Sequence, residues 1–343
     1  MQDIRAITYP QLEDFMLSIA EKKFRAKQIW VWLWQKGVGS FDEMTNLSVA
    51  LRDQLKAHFT FNRAMIAEEV QSKDKTVKFA LQYADGKQVE GVLIPSKERV
   101  TACISSQVGC PLKCTFCATG TMGFIRNLHY SEIVDEYLVL NNRSQELYNQ
   151  RITNIVLMGM GEPLLNVENV LTAIDKLTSP DGFGLAPSRI TLSTAGIIKG
   201  IKILADRKFA CGLAVSLHSA DPDIREIIMP VTERNSLHDL QAALLYYNQK
   251  TGERITFEYL LLNKVNDSLR DAEKLARYCR PFPVKINIIE YNETEDGIYH
   301  RSDPGHREGF IQYLKDCNMV VNVRQSRGQD IAAACGQLVK KRK

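Results

Sequence analysis

An α/β fold built on a largely parallel sheet is predicted for this chain of 343 residues by three features. Strand-like and helix-like stretches alternate regularly from about residue 100 to residue 325. The first 60 residues carry only helical periodicity, and an Asp-Gly turn between two alternating runs marks a β-hairpin between the two parts. Repeated βα units require crossovers that place helices on the sheet, and such crossovers give parallel strands.

Residues 1–60 read as a small helical domain. Tyr9–Ala20 places Leu12, Phe15, Met16 and Ile19 on one helical face, and Phe24–Gln35 does the same with Ile29, Trp30, Leu33 and Trp34. Ser40–Glu43 has capping-box spacing, although the better helix begins near Leu47. All three tryptophans lie between Trp30 and Trp34, with Trp30 and Trp34 sharing a face. They read first as an aromatic core. The alternative is that Trp32, near Arg25 and Lys27, stacks on an RNA base. Residues 61–95 read as a hairpin segment: Thr76–Tyr83 alternates, Ala84–Lys87 turns, and Val89–Ile94 returns.

Residues 96–325 supply the strands Thr101–Ser105, Asn154–Met158, Arg189–Ser193, Gly212–Leu217, Ile255–Leu261, Val284–Ile289 and Val320–Val323. Between them lie the helices Tyr130–Arg143, Val167–Leu177, Ile197–Ala205, Leu237–Gln249, Leu269–Cys279 and Gly305–Asp316. Roughly six units are too few for an eight-fold barrel. An incomplete barrel and a doubly wound sheet both fit the pattern, but no Gly-x-Gly-x-x-Gly marks the first turn. Residues 326–343 form a C-terminal loop and tail.

A hydrophobic fraction of 45% and a charged fraction of 24% suit a folded chain with a sizeable core. The net charge of +4 is compatible with a nucleic-acid partner, and Lys340–Lys343 adds a cationic end that reads first as a solvated tail. No apolar run approaches the ~18 residues of a membrane span, and no signal peptide is legible at Met1–Arg5. Eight scattered cysteines form no disulfide framework, which argues for a reducing, cytoplasmic location.

Chemistry concentrates in the loop after the first barrel strand. Cys110, Cys114 and Cys117 are spaced to ligate three irons of a 4Fe–4S cube and leave the fourth open to S-adenosylmethionine (SAM). The alternative is a zinc site completed by His129, although zinc prefers paired knuckles. Met158–Pro163 follows the second strand, where Gly161 allows close backbone approach and Glu162 can hold an ammonium. Ser193, Ser216, Leu217, His218 and Asn292 lie at the ends of later strands, the rim where barrels place their chemistry. Cys103 lies on the first strand. Cys335 sits in a small-residue loop that suits a mobile, accessible thiol. Taken alone, each reads as a small hydrophobe, and Cys211, Cys279 and Cys317 read as structural.

The triad makes the chain similar to the radical-SAM enzymes. Together with residues 103–110, 159–166, 192–196, 216–218 and 328–338, it resembles the RlmN family, radical-SAM adenine-C2 methyltransferases of 23S ribosomal RNA and, in some members, transfer RNA. The resemblance covers essentially the whole chain. It decides for an incomplete (βα)6 radical-SAM barrel preceded by the helical domain and the hairpin. It implies one 4Fe–4S cluster on Cys110, Cys114 and Cys117, with two SAM molecules used per turnover. SAM contacts would come from Gly161, Glu162, Ser193, Ser216, Leu217, His218 and Asn292.

In the implied reaction Cys335 first takes a methyl group from SAM. A 5′-deoxyadenosyl radical then removes hydrogen from that methyl, and the carbon adds to adenine C2. Glu90 accepts the C2 proton, and Cys103 attacks the Cys335 sulfur to release product as a disulfide. A flavodoxin-like electron donor and a thiol reductant would serve a monomeric enzyme. From the residues alone, Glu90 reads as a surface carboxylate on a hairpin strand. Arg126 and Arg327 are candidate RNA contacts. The chain departs from the family's usual pattern at Met229–Thr232, Lys264 and Glu293, which bears on loop geometry and RNA fit. Ala118–Gly120 also resembles the sister Cfr-type C8 methyltransferases, whereas Pro163–Leu165 and Val89–Pro95 fit the C2 group.

Overall fold

The computed structural model describes residues 1–292 and 298–338, so Glu293 and Lys340–Lys343 lie outside the described residues. In the N-terminal part, α1 (Tyr9–Ser18) begins with a complete Thr8/Gln11 capping box. α2 (Phe24–Val31) runs into a π-helical turn, Trp32–Lys36, that ends at Gly37 in the left-handed region (φ +65°). α3 (Val49–His58) is capped by Ser48, whose Oγ accepts from Leu51 N–H at 3.2 Å. Ser40 caps a single 3-10 turn, Phe41–Glu43.

Trp34 is fully buried and Trp30 packs edge-on against Tyr9, as an aromatic core requires. Trp32 sits at the rim: its Nε1–H donates to Asn46 Oδ1, and Lys36 Nζ lies 3.7 Å from its ring centroid.

Ten strands of the described residues form one sheet: β1 (Met65–Gln71), β2 (Val77–Gln82), β3 (Gln88–Ser96), β4 (Arg99–Cys103), β5 (Asn154–Leu157), β6 (Ile190–Thr194), β7 (Gly212–Ser216), β8 (Ile255–Leu261), β9 (Val284–Glu290) and β10 (Val320–Arg324). They lie side by side in chain order. β4 to β10 are parallel, whereas β1 to β3 extend the β4 edge antiparallel. The hairpin of residues 61–95 therefore continues the barrel sheet and gains a third strand.

Six helices make the crossovers: α4 (Tyr130–Tyr148), α5 (Val167–Thr178), α6 (Ile198–Asp206), α7 (Leu237–Thr251), α8 (Leu269–Cys279) and α9 (Pro304–Asp316). Right-handed crossovers between sequential neighbours all place their helices on the same face, which leaves the other face to form a cleft. This is the incomplete βα barrel, six units closed by a seventh parallel strand.

A buried ion pair joins the helical domain to this barrel. Arg5 binds Asp135 of α4 and donates to Val38 O at 2.8 Å, while Asp135 also accepts from Ala64 N–H. Among the described residues no helix is long and apolar enough to cross a membrane.

Candidate active site

Sheet register gathers the site. Paired residues on neighbouring strands point to one face, and that face repeats every second residue. Cys103 pairs with Val156, Thr191 with Gly212, Ser216 with Glu258, Glu258 with Asn287, and Ile289 with Arg324. The inner face consequently carries Met158, Ser193, Ser216, Glu258, Ile289 and Arg324, and all six line one cleft. The same cleft is lined by Cys110, Cys114, Cys117, Gly161, Glu162, His218 and Cys335.

The cysteine loop is shaped by its own backbone. Cys110 N–H donates to Gly123 O at 3.0 Å, Cys117 N–H donates to Cys114 O at 3.1 Å, and Lys113 turns the chain at φ +55°. Loss of water pushes the Cys110 thiol up to about 12 and Cys114 well above the usual thiol range, and neighbouring Cys117 adds to both. Three clustered cysteines, whose thiolate forms would repel one another, are a donor set that a cationic iron–sulfur group satisfies.

Among the described residues no three His, Cys, Asp or Glu side chains converge on a single ion. Ligands of a cube attach to three different irons and need no such convergence. His129, which a zinc site would have needed, caps α4 instead: its Nδ1 accepts from Ser131 N–H at 3.3 Å.

In the same cleft, buried Glu162 accepts from Leu164 N–H at 3.0 Å and from Ala195 N–H at 2.7 Å. Burial pushes its pKa up to about 7, against the pull of those two donors. Gly161 has φ +99°, and a Cβ there would meet Gln107 Cβ at 2.5 Å, so this turn needs glycine. His218 is buried, and its Nδ1 accepts from Leu260 N–H at 3.1 Å. Burial lowers its pKa to about 3, leaving a neutral ring that stands edge-on to Phe116.

Two expected SAM contacts are placed differently. Leu217 is fully buried and does not line the cleft, because the alternation that turns Ser216 inward turns its neighbour into the core. Asn292 lies just outside the cleft, where its Nδ2 donates to Cys335 O at 3.4 Å and its Oδ1 accepts from Gln329 at 3.1 Å. Lys264 takes φ +59°, the left-handed conformation that a glycine there would adopt without cost.

The loop of Cys335, expected to be mobile, is tied on both sides. Gly328 N–H donates to Asp74 Oδ2 at 3.0 Å, Asp330 accepts from Ser72 Oγ–H at 2.6 Å, and Lys78 Nζ donates to Ala332 O at 3.2 Å. Beyond the cysteine, Gly336 O accepts from Ala118 N–H at 2.7 Å, and Leu338 O accepts from Thr119 Oγ1–H at 2.6 Å. These bonds hold Cys335 against the cluster loop. Cys335 is exposed because the cleft is open to water. The protein around it still pushes its thiol up, while Arg324 pulls the other way. Cys103 is buried at the end of β4, and burial, with Cys335 next, raises its thiol as well. The charges of the two sulfurs are thus within reach of each other.

Glu90 is not a surface group. Its strand, β3, is flanked by β2 and β4, and Glu90 is only 6% exposed, with Lys78 Nζ 3.4 Å from its Oε1. Arg126 is engaged by Asp85 at 2.7 Å and by Glu132 at 2.7 Å, and so fastens the hairpin turn to α4. Arg327 is half-exposed, 3.9 Å from Asp74. Cys211 and Cys279 are buried, whereas Cys317 is exposed.

Several working groups escaped the sequence reading. Arg225 is fully buried and donates to Leu217 O, Thr232 Oγ1 and Ala195 O, which ties the rim loops together. Glu258 accepts from Arg324 at 3.2 Å and from Asn287 at 2.9 Å. A carboxylate inside the apolar run Ile255–Leu261 was a legible signal for an inward polar position.

Residues 2–61 match the family model described as the ribosomal RNA large subunit methyltransferase N-terminal domain, and residues 104–278 match the radical SAM superfamily. The chain is 46% identical over 340 residues to a probable dual-specificity RNA methyltransferase RlmN of Christiangramia forsetii, covering 99% of this chain and 97% of the relative. It is 45% identical to the dual-specificity RNA methyltransferase RlmN of Nitratidesulfovibrio vulgaris, covering 98% and 95%. A crystal structure of a radical SAM methyltransferase from Sphaerobacter thermophilus superposes with a TM-score of 0.93 at 37% identity, covering 98% of this chain and 99% of the other.

Proposed function

The chain belongs to the RlmN family of radical SAM RNA methyltransferases, and on that premise we propose that it methylates C2 of a specific adenine in 23S ribosomal RNA and of the adenine beside the anticodon in transfer RNAs. The names of its relatives favour this over C8 methylation and over a non-catalytic metal-binding protein.

Cys110, Cys114 and Cys117 would hold a 4Fe–4S cluster with one open iron, and Gly161, Glu162, Ser193, Ser216 and His218 would surround SAM. When bound, these groups supply an electron, a methyl group and the 5′-deoxyadenosyl radical. The chain does the rest. Cys335 accepts a methyl on its sulfur, gives up a hydrogen from it, and binds adenine C2 through the remaining carbon. Glu90 takes the C2 proton, and the one electron then left over on the adduct would pass to the bound cluster. Cys103 sulfur attacks Cys335 sulfur, so that an S–S bond forms as the S–C bond breaks, and the carbon left on the base takes a proton. An external electron donor and a thiol reductant restore the enzyme, which requires a reducing compartment such as the cytoplasm.

The observation that carries this reading is one cleft lined by the three cluster cysteines and by Cys335, with Cys103 on the adjoining strand end. Cys335→Ala is expected to abolish methyl loading of the protein, and Cys103→Ala to trap a covalent RNA–protein adduct. Normal turnover by Cys103→Ala would remove it from the reaction. Nucleoside mass spectrometry reading 8-methyladenosine in place of 2-methyladenosine would overturn the position assigned.

A further inference from the structure

Strand register places Lys78 opposite Val92, and Val92 opposite Cys103, in a single row across β2, β3 and β4. Side chains in such a row share a face, and Glu90, two residues from Val92, shares it as well. Lys78 reaches two partners on that face. Its Nζ lies 3.4 Å from Glu90 Oε1, and it donates to Ala332 O at 3.2 Å. Both side chains are largely removed from water, Lys78 at 15% and Glu90 at 8% exposure, so their attraction is weakly screened. Ala332 is held at φ +51°, three residues before Cys335.

We propose that Lys78 is a positioning residue that couples the carboxylate of Glu90 to the loop carrying Cys335. This rests on the reading of Glu90 as proton acceptor and of Cys335 as methyl carrier. One ammonium then has two effects. It keeps Glu90 ionised and ready to take the C2 proton, because an adjacent opposite charge favours the charged form. It also fixes the distance between the base and the loop. Once Glu90 is protonated its attraction for Lys78 lapses, and the loop is loosened at the stage when Cys335 sulfur must meet Cys103.

Among the described residues, charged and titratable groups approach Glu90 from the strands on either side of it. Lys78 faces it from β2 and Cys103 shares its face from β4, with Cys335 and Arg324 acting on Cys103 in turn, whereas Glu136 of α4 lies against Gly91 on the opposite face of the strand. Burial raises the pKa of Glu136, and Lys78 is a cation that touches the Glu90 carboxylate directly.

The test uses the full-length, cluster-loaded enzyme with an RNA substrate and compares wild type, Lys78→Met, Lys78→Gln, Lys78→Arg and Glu90→Gln. Circular dichroism confirms folding of each variant. Methyl loading of Cys335 is read by intact-protein mass, covalent adduct by denaturing gel, and adduct resolution in single turnovers across pH. Both neutral Lys78 variants are expected to load methyl within about twofold of wild type, because the bonds from Asp74, Ser72, Ala118 and Thr119 remain. Adduct should persist about tenfold longer, and the acid limb of the resolution profile should move up by about one pH unit, as loss of an adjacent cation raises a carboxylate pKa. Lys78→Arg should restore both. An unmoved acid limb in Lys78→Met and Lys78→Gln, with Glu90→Gln still accumulating adduct, overturns the coupling alone. A Glu90→Gln enzyme that turns over without adduct overturns the base assignment and the coupling with it.

Discussion

Asp74→Ala should free the loop that carries Cys335 without unfolding the barrel. Asp74 accepts from Thr76 N–H at 2.9 Å within its own turn and from Gly328 N–H at 3.0 Å across to the loop, with Arg327 at 3.9 Å. The Gly328 bond is the close contact to the loop, and Arg327 on the same loop adds a longer one. A hydrogen bond to a charged acceptor contributes about 1.5–3 kcal/mol. The Asp74 side chain is 29% exposed, so water competes and the lower end applies. The pKa gives a ceiling for all its partners together. Hydrogen bonds from Thr76 and Gly328, which outweigh its partial burial, hold Asp74 down at about 2 against an ordinary 3.8. That difference corresponds to roughly 2.4 kcal/mol before any discount for solvent.

A share of about 1.5 kcal/mol for the Gly328 bond converts to roughly a tenfold increase in loop opening. Amide hydrogen exchange over residues 326–338 reads this directly, with peptides from β8 and β9 as internal controls. The sign with pH is fixed. A depressed carboxylate pKa stabilises above the unfolded value, so protection should be full above about pH 4 and fall away as pH drops towards about 2. Unchanged exchange over the loop in a folded Asp74→Ala protein would refute the tether.

The buried Arg5–Asp135 pair makes the docking of the helical domain sensitive to either partner, and Asp135→Asn should lower stability by about 3–5 kcal/mol in urea titrations, since it strands a buried guanidinium. A loss under 1 kcal/mol would mean that the pair is dispensable. In the cluster-free protein, Glu162 with its pKa raised to about 7 opposes folding once ionised. That penalty is absent below about pH 4.5, grows through the window and is complete above about pH 7, reaching roughly 3 kcal/mol. Stability should therefore rise on acidification from pH 8 to 5, with a flatter curve for Glu162→Gln; parallel curves for the two proteins would contradict the assignment.

What was legible in the sequence was local. The six helices and seven parallel strands follow from hydrophobic period, and the strand Ile255–Leu261 and the helix Leu269–Cys279 fall where the pattern puts them. The cysteine spacing is a property of eight consecutive residues and needs no fold to be read. Glu90 shows where that ends. Its immediate neighbours mark a hairpin strand, and nothing in them says that β4 covers its second edge and brings Lys78, Cys103 and the C-terminal loop to the same face. Leu217 marks the same limit from the other side: the motif singles it out, and nothing in the motif says that its side chain is buried.

By itself, then, the sequence determined the βα order, the cluster ligands and the chemistry their spacing permits, because each is encoded within one turn, one strand or one loop. Only the tertiary structure decided which distant groups share a face. Strand register and the ties across the C-terminal loop hold Cys335 beside the cluster cysteines and near Cys103, and bury Glu90 next to Lys78. Contacts between residues some 250 positions apart leave no periodic trace in the chain, since they depend on how strands pair and not on what precedes or follows each residue.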